Sequence, residues 1–230
     1  MNTLFYTIII ILLAQFILET VLDYLNAKRY DRTIPEELRD VFDADEYQKS
    51  QAYKKTNYRF GLLTSTFSLL LTLSFLIFGG FEWVDQIARS ISENPVVVAL
   101  VFFGIIMIGS DIITLPFSYY STFVIEEKFG FNKTTTSTFF LDKLKGWAIM
   151  AVVGGGLLAL IIWFFDWAGT TFWIYAWALV TIFTIFMNLF YSKLIVPLFN
   201  KLTPLEAGGL KTKIENYAEN VGFELQHIFV

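Results

Sequence analysis

The chain has 230 residues, 55% of them apolar and only 17% charged, with 25 phenylalanines. That is more apolar surface than a soluble two-layer domain carries, so lipid is the solvent the composition implies. A net charge of −4 gives nucleic acid nothing to bind, the absence of cysteine removes disulfides and thiolate metal sites, and one histidine, His227, is too few for a histidine-based zinc centre.

The first apolar run covers 3–24, enough for a bilayer that takes ~20 helical residues. It lacks the basic start and small-residue cleavage site of a signal peptide and reads as a retained helix. Four more runs lie at 61–80, 95–118, 146–165 and 171–190, so the expected fold is an all-α polytopic membrane protein with five spans. All but one of the 17 Lys and Arg residues fall in the first connection (25–60), the third connection and the tail. The exception, Arg89, lies in the second connection. Basic residues stay on the cytoplasmic side, so the N-terminus is expected outside and the C-terminus inside. Trp83, Trp163, Trp167 and Trp173 then sit at outer span ends, and Trp147 at an inner one.

The first connection is expected to be helical and cytoplasmic. Ile34-Pro35-Glu36-Glu37-Leu38 opens like a helix, with Pro at its first position and acids in its first turn. Glu46, Tyr47, Lys49, Ser50, Tyr53 and Lys54 continue it with mixed charge.

In the third span Asp111 stands about seven residues from the inner end, roughly 10 Å deep at 1.5 Å per residue. A lone carboxylate there costs at least ~2.5 kcal/mol, so it is protonated, paired or facing water. It reads either as a wall of a hydrated chamber or as a neutral acid bonded to a neighbouring helix. The same helix then leaves the membrane through LPFSYYSTFVIEEKFGFNK, residues 115–133. Tyr119, Tyr120 and Phe123 suit the headgroup level. Glu126 and Glu127 stand at the negative end of the helix dipole, where acids are disfavoured and call for cationic partners. Gly130 suits the left-handed position that ends the helix, Phe131 can fold back on the last turn, and Asn132 can satisfy open backbone groups. The segment reads either as an ordinary helix exit or as a clasp to another part of the protein.

Gly154-Gly155-Gly156 in the fourth span permits close helix approach or a bend. After the fifth span comes Pro197, then Thr203-Pro204-Leu205-Glu206 with the spacing of a capping box. Leu210, Ile214, Tyr217, Ala218 and Val221 recur at helical spacing up to Gly222. Residues 223–230 then look like the start of a strand with no partner in the preceding chain, as though the chain were cut inside a domain.

Three groups of these residues resemble one family. FVIEEKFGFNK matches F-x-I-E-x-x-x-G-F-N through Phe123, Ile125, Glu126, Gly130, Phe131 and Asn132, with Thr135 beyond. Pro35-x-Glu37-Leu38 precedes Glu46-Tyr47-x-Lys49-Ser50-x-x-Tyr53, and Pro197 to Glu206 reads PLFNKLTPLE downstream of Ile174-Tyr175-Ala176-Trp177. Together they resemble the type I CAAX prenyl proteases, integral-membrane zinc metallopeptidases; Phe129 departs from the pattern, since many relatives carry histidine there. The resemblance implies a membrane domain at 1–200, forming a chamber, and the beginning of a metallopeptidase domain at 201–230. It implies that the HExxH zinc helix lies in a C-terminal zinc domain that is missing here. Zinc is therefore expected only in a full-length protein, with no cofactor, metal or catalytic residue in this chain, which would be inactive alone. The implied partners are membrane lipid, the missing zinc domain and lipidated or membrane-associated protein substrates. The membrane is a bacterial inner membrane or the endoplasmic reticulum. The alternative is a complete five-span transporter or membrane scaffold, against which no internal repeat is found.

Overall fold

The computed structural model describes residues 3–30, 33–34, 43–225 and 228–229. Pro35, Glu37, Leu38 and His227 lie outside the described residues. The described chain is helical, apart from one isolated antiparallel bridge near its end. It divides into two compact units, up to Phe139 and from Phe140.

In the first unit α1, Thr3–Ala27, packs beside α2, Ala44–Ile77. The expected second span is therefore the second half of a 34-residue helix whose polar first half belongs to the connection. Asp43 starts α2 by accepting the backbone N–H groups of Asp45 and Glu46 at 2.8 and 3.1 Å. The helix ends just before Gly79, which takes a φ of 72° that costs an L side chain steric strain.

The second connection, for which the sequence pattern predicts no element, holds α3, Gly80–Ile91. Glu82, Asp85, Gln86 and Arg89 take one face of this helix and Val84, Ala88 and Ile91 the other. Val84 and Ala88 are 1% and 0% exposed, the most deeply buried residues of the described chain, where α3 lies on α4, Pro95–Tyr120. Asn94 caps α4 by accepting from Val96 and Val97, and Pro95 stands in its first turn, where its missing N–H costs nothing.

Pro116 lies inside α4 and cannot supply the N–H that Ile112 would accept. Five residues later the helix widens into a π-turn, Ser121–Glu126, before closing with the short α5, Glu127–Phe129. A π-turn holds an extra residue, so the residues beyond it are rotated by about 100°. Periodicity in the sequence carries no sign of this.

The second unit contains a helical hairpin. α6, Thr136–Ile149, begins in the last residues of the first unit and runs through a second π-turn, Met150–Gly154, into α7, Gly155–Ala168. The glycine run thus coincides with a local unwinding; at Gly156 nothing among the described residues lies within 4 Å of where a Cβ would stand. Gly169, with φ 55°, turns the chain back into α8, Phe172–Leu194. Trp163 stacks on Trp167 at 5.9 Å and Trp167 meets Tyr175 at 5.3 Å, an aromatic girdle of the kind that settles at a membrane interface. Among the described residues, four helical stretches are long and apolar enough to cross a membrane. The last, Thr136–Phe199, is folded in two at Gly169 and accounts for two of the five expected spans.

Beyond α8, Pro197 sits in the single-turn helix α9, Val196–Phe199. The capping-box spacing at 203–206 does not start a helix. Those residues lie outside any helix, and α10 begins at Gly209 and runs to Asn220. Proline at the second position of that tetrad leaves the preceding residue extended, and the backbone goes instead into pairing. Pro204 forms the bridge with Phe229, and the Leu205 N–H donates to Ile228 O at 2.9 Å. Among the described residues the expected strand shows one bridge, and its partner, contrary to expectation, lies in the preceding chain. Gly222, at φ 70°, closes α10, with the Phe223 N–H bonded to Ala218 O at 2.8 Å.

Candidate functional site

The residues of the most specific motif converge at the C-terminal end of α4. Gly130 has φ 80° and ends the helix there. The carbonyl of Glu126 accepts from the N–H groups of Phe131 at 2.9 Å and Asn132 at 3.3 Å, so one oxygen closes the turn. Asn132 donates from its side-chain amide to Glu127 Oε2 at 2.9 Å and accepts the Thr134 N–H on Oδ1 at 2.7 Å. Thr135 Oγ1 accepts the Thr138 N–H at 3.2 Å and caps α6.

The turn is held against the polar half of α2. Tyr53 donates its phenolic O–H to Glu126 Oε1 at 2.5 Å, across 73 residues of chain. Its ring meets Phe129 at 5.2 Å and Phe131 at 4.9 Å, both edge-on, the arrangement that ring quadrupoles favour. Ile125 and Phe129 are 2% and 6% exposed beneath it. Lys49 lies one helical turn before Tyr53 on the same face, and its Nζ stands 4.0 Å from where a Cβ on Gly130 would be. Further along that face Phe60 stacks on Tyr120 at 5.2 Å, and Phe67 meets Phe117 at 4.8 Å. Ser50 is exposed on the flank.

The acids find different partners from those their place on the helix dipole suggests. Among the described residues, Glu126 takes a hydroxyl and Glu127 an amide, and neither forms an ion pair. A neutral donor lets a half-buried carboxylate be satisfied without desolvating a second charge. The Tyr53 phenol is held above its ordinary pKa of 10.0, first by its hydrogen bond to Glu126 and then by burial and the carboxylate charge, with Asn57 opposing. Tyr53 lies in the charged first half of α2, outside the apolar span.

Of the other singled-out residues, Asp111 is half-buried in the middle of α4, and Pro197 and Pro204 lie in the second unit. Sequence reasoning alone does not bring Tyr53 and Phe129 into the cluster. The signal it offers is the i, i+4 spacing of Lys49 and Tyr53, which puts both on one helix face.

A zinc site does not fit the described residues. No three His, Cys, Asp or Glu side chains come together among them, and a catalytic zinc takes three protein ligands.

Comparison with known proteins places this architecture. Residues 23–201 match the family model described as "CAAX prenyl protease N-terminal, five membrane helices". The chain is 35% identical to CAAX prenyl protease 1 homolog of Arabidopsis thaliana, over 97% of its own length and 55% of the relative's. It is 34% identical to CAAX prenyl protease 1 of Saccharomyces cerevisiae (95% and 51%) and 30% identical to the Homo sapiens homolog (94% and 47%). The crystal structure of S. mikatae Ste24p superposes with a TM-score of 0.90 at 33% identity, covering 100% of this chain and 55% of that one. The chain thus spans about half the length of the curated relatives it matches. It is an integral membrane protein of the CAAX prenyl protease family and corresponds to that family's N-terminal, five-helix membrane region.

Proposed function

We propose that these residues are the membrane domain of a zinc metalloendopeptidase that cleaves lipidated or membrane-associated proteins near their C-termini, and that the zinc ligands lie in a part of the protein outside this chain. The full-chain superposition on Ste24p, with only 55% of that protein covered, carries the reading. In it, residues 1–200 supply the membrane chamber and 201–230 begin the zinc domain; the basic connections face the cytoplasm and the N-terminus lies outside. Zinc supplies the hydrolytic chemistry when bound. The part of this chain's residues is to hold the membrane helices in register with that domain. The Tyr53–Glu126 bond and the Asn132–Glu127 bond make the end of α4 a structural clasp, formed within the first unit.

The test compares the 230-residue chain with a protein extended by the C-terminal half of the yeast relative, both in proteoliposomes with a farnesylated peptide. Zinc-dependent cleavage by the extended protein alone is the expected result. Cleavage that survives chelation, or substrate movement across the bilayer without cleavage, would overturn the reading. In the extended protein Glu126→Gln is expected to lower the thermal midpoint with turnover per zinc kept. A hundredfold loss of turnover at unchanged stability and zinc loading would put Glu126 in the chemistry instead.

A further inference from the structure

We propose that the groove between α3 and the start of α4 binds one membrane phospholipid bearing a primary-amine head group, with Arg89 taking the phosphate and Glu93 and Asp85 taking the ammonium. The groove measures about 290 Å³ and is lined by Asp85, Arg89 and Glu93 on one side and Val98, Phe102 and Phe103 among others below. That volume is at the low end for small-molecule sites, suited to a head group and glycerol whose acyl chains continue in the bilayer.

Its two halves differ in chemistry along the membrane normal. The charged residues stand on α3 and on the turn before α4. The apolar wall, Val98 to Phe103, lies about 4 to 12 Å along α4 from Pro95 at 1.5 Å per residue, within one leaflet of a ~30 Å hydrocarbon core. The groove therefore has a polar mouth where head groups lie and an apolar floor where acyl chains begin. Exposed apolar residues on and beside α3, namely Phe78 (85%), Trp83 (61%) and Ile91 (62%), suit a helix lying in the interface.

Charge complementarity selects the head group. Arg89 spends Nε on Asp85 at 2.8 Å, and its side chain is 67% exposed, so the terminal nitrogens remain for a phosphate, which guanidinium suits in shape. Glu93 forms no ion pair among the described residues. Two carboxylates against one guanidinium make the mouth net negative, which disfavours an anionic lipid. A primary ammonium donates hydrogen bonds to carboxylates, which a quaternary choline cannot.

To test this, the purified full chain is exchanged in mixed micelles holding equimolar phosphatidylethanolamine, phosphatidylcholine and phosphatidylglycerol, and retained lipid is counted by native mass spectrometry. One phosphatidylethanolamine per chain is expected. Arg89→Ala and Glu93→Gln, both on exposed side chains, should each lower its retention about tenfold, the loss of roughly one charge-assisted hydrogen bond. Ala99→Phe, which fills the groove, should do the same with helix content by circular dichroism unchanged. If Ala99→Phe does not fold, the two surface variants decide the matter. Equal retention of phosphatidylcholine, preference for phosphatidylglycerol, a protein dimer in place of lipid, or retention unaffected by both surface variants would each overturn the proposal.

Discussion

The two ends of α4 are held by opposite means. At its N-terminal end α3 lies on it through Val84 and Ala88, small side chains that are fully buried. At its C-terminal end the π-turn and Gly130 bring Glu126 to the Tyr53 hydroxyl, with Phe129 and Phe131 packed on the same ring. The difference reflects where each contact gets its energy. Beside lipid, apolar surface gains little by leaving its solvent, so close approach of small residues and dispersion do the holding. Beyond the apolar span, water is the competitor. Burying aromatic rings then stabilises strongly, and a hydrogen bond fixes the geometry that makes the burial possible.

The contrast between the two ends is tested most directly at Phe129. Phe129→Ala removes a ring that is 6% exposed and should cost ~3 kcal/mol, read as a fall in the thermal midpoint of the purified protein. A negligible shift would show that the cluster at the C-terminal end of α4 is not held by burial. At the other end, Ala88→Leu adds bulk where the contact has no space and should cost about 2 kcal/mol. Its effect should add to that of Phe129→Ala, since the ends share no partners. Strong coupling between the two would mean that α4 transmits strain along its length.

Gly130→Val forces a β-branched residue into φ 80° and should cost roughly 1–2 kcal/mol, with Gly130→Asn milder because asparagine tolerates that region. Equal damage from both would show that the left-handed backbone is not what the glycine supplies. Tyr53→Phe keeps the ring contacts and removes only the hydroxyl, for about 1 kcal/mol. Combined with Glu126→Gln it should show non-additivity, the sign of a direct bond. The smallest effect is in pH. Because the folded state raises the Tyr53 pKa above 10.0, this bond contributes fully below that value and is lost as pH rises through the folded pKa. Wild-type stability should therefore decline on the alkaline side more than that of Tyr53→Phe, a difference measurable by thermal denaturation from neutral pH upward.

Some of this is legible in the chain alone. Long apolar runs, the glycine stop at Gly130 and the motif around it are local features, each set by a few neighbouring residues, and they are enough to recognise the family. Other parts are decided by tertiary contacts. The hidden helix α3 is too short and too mixed in charge to register as a span, and its apolar face has meaning only once α4 is there to cover it. The capping-box spacing at 203–206 is overridden because the backbone of Pro204 and Leu205 pairs with Ile228 and Phe229, more than 20 residues on. The helix dipole marks Glu126 and Glu127 as acids in need of partners. It cannot choose between a cation and a hydroxyl, because the partner arrives on a different helix. The packed helices settle that choice: Glu126, the last residue of the π-turn, meets Tyr53 on α2. Local chemistry in the sequence determines where each helix stops; which side chain waits at the stop depends on residues far away in the chain, and only the packed helices bring those together.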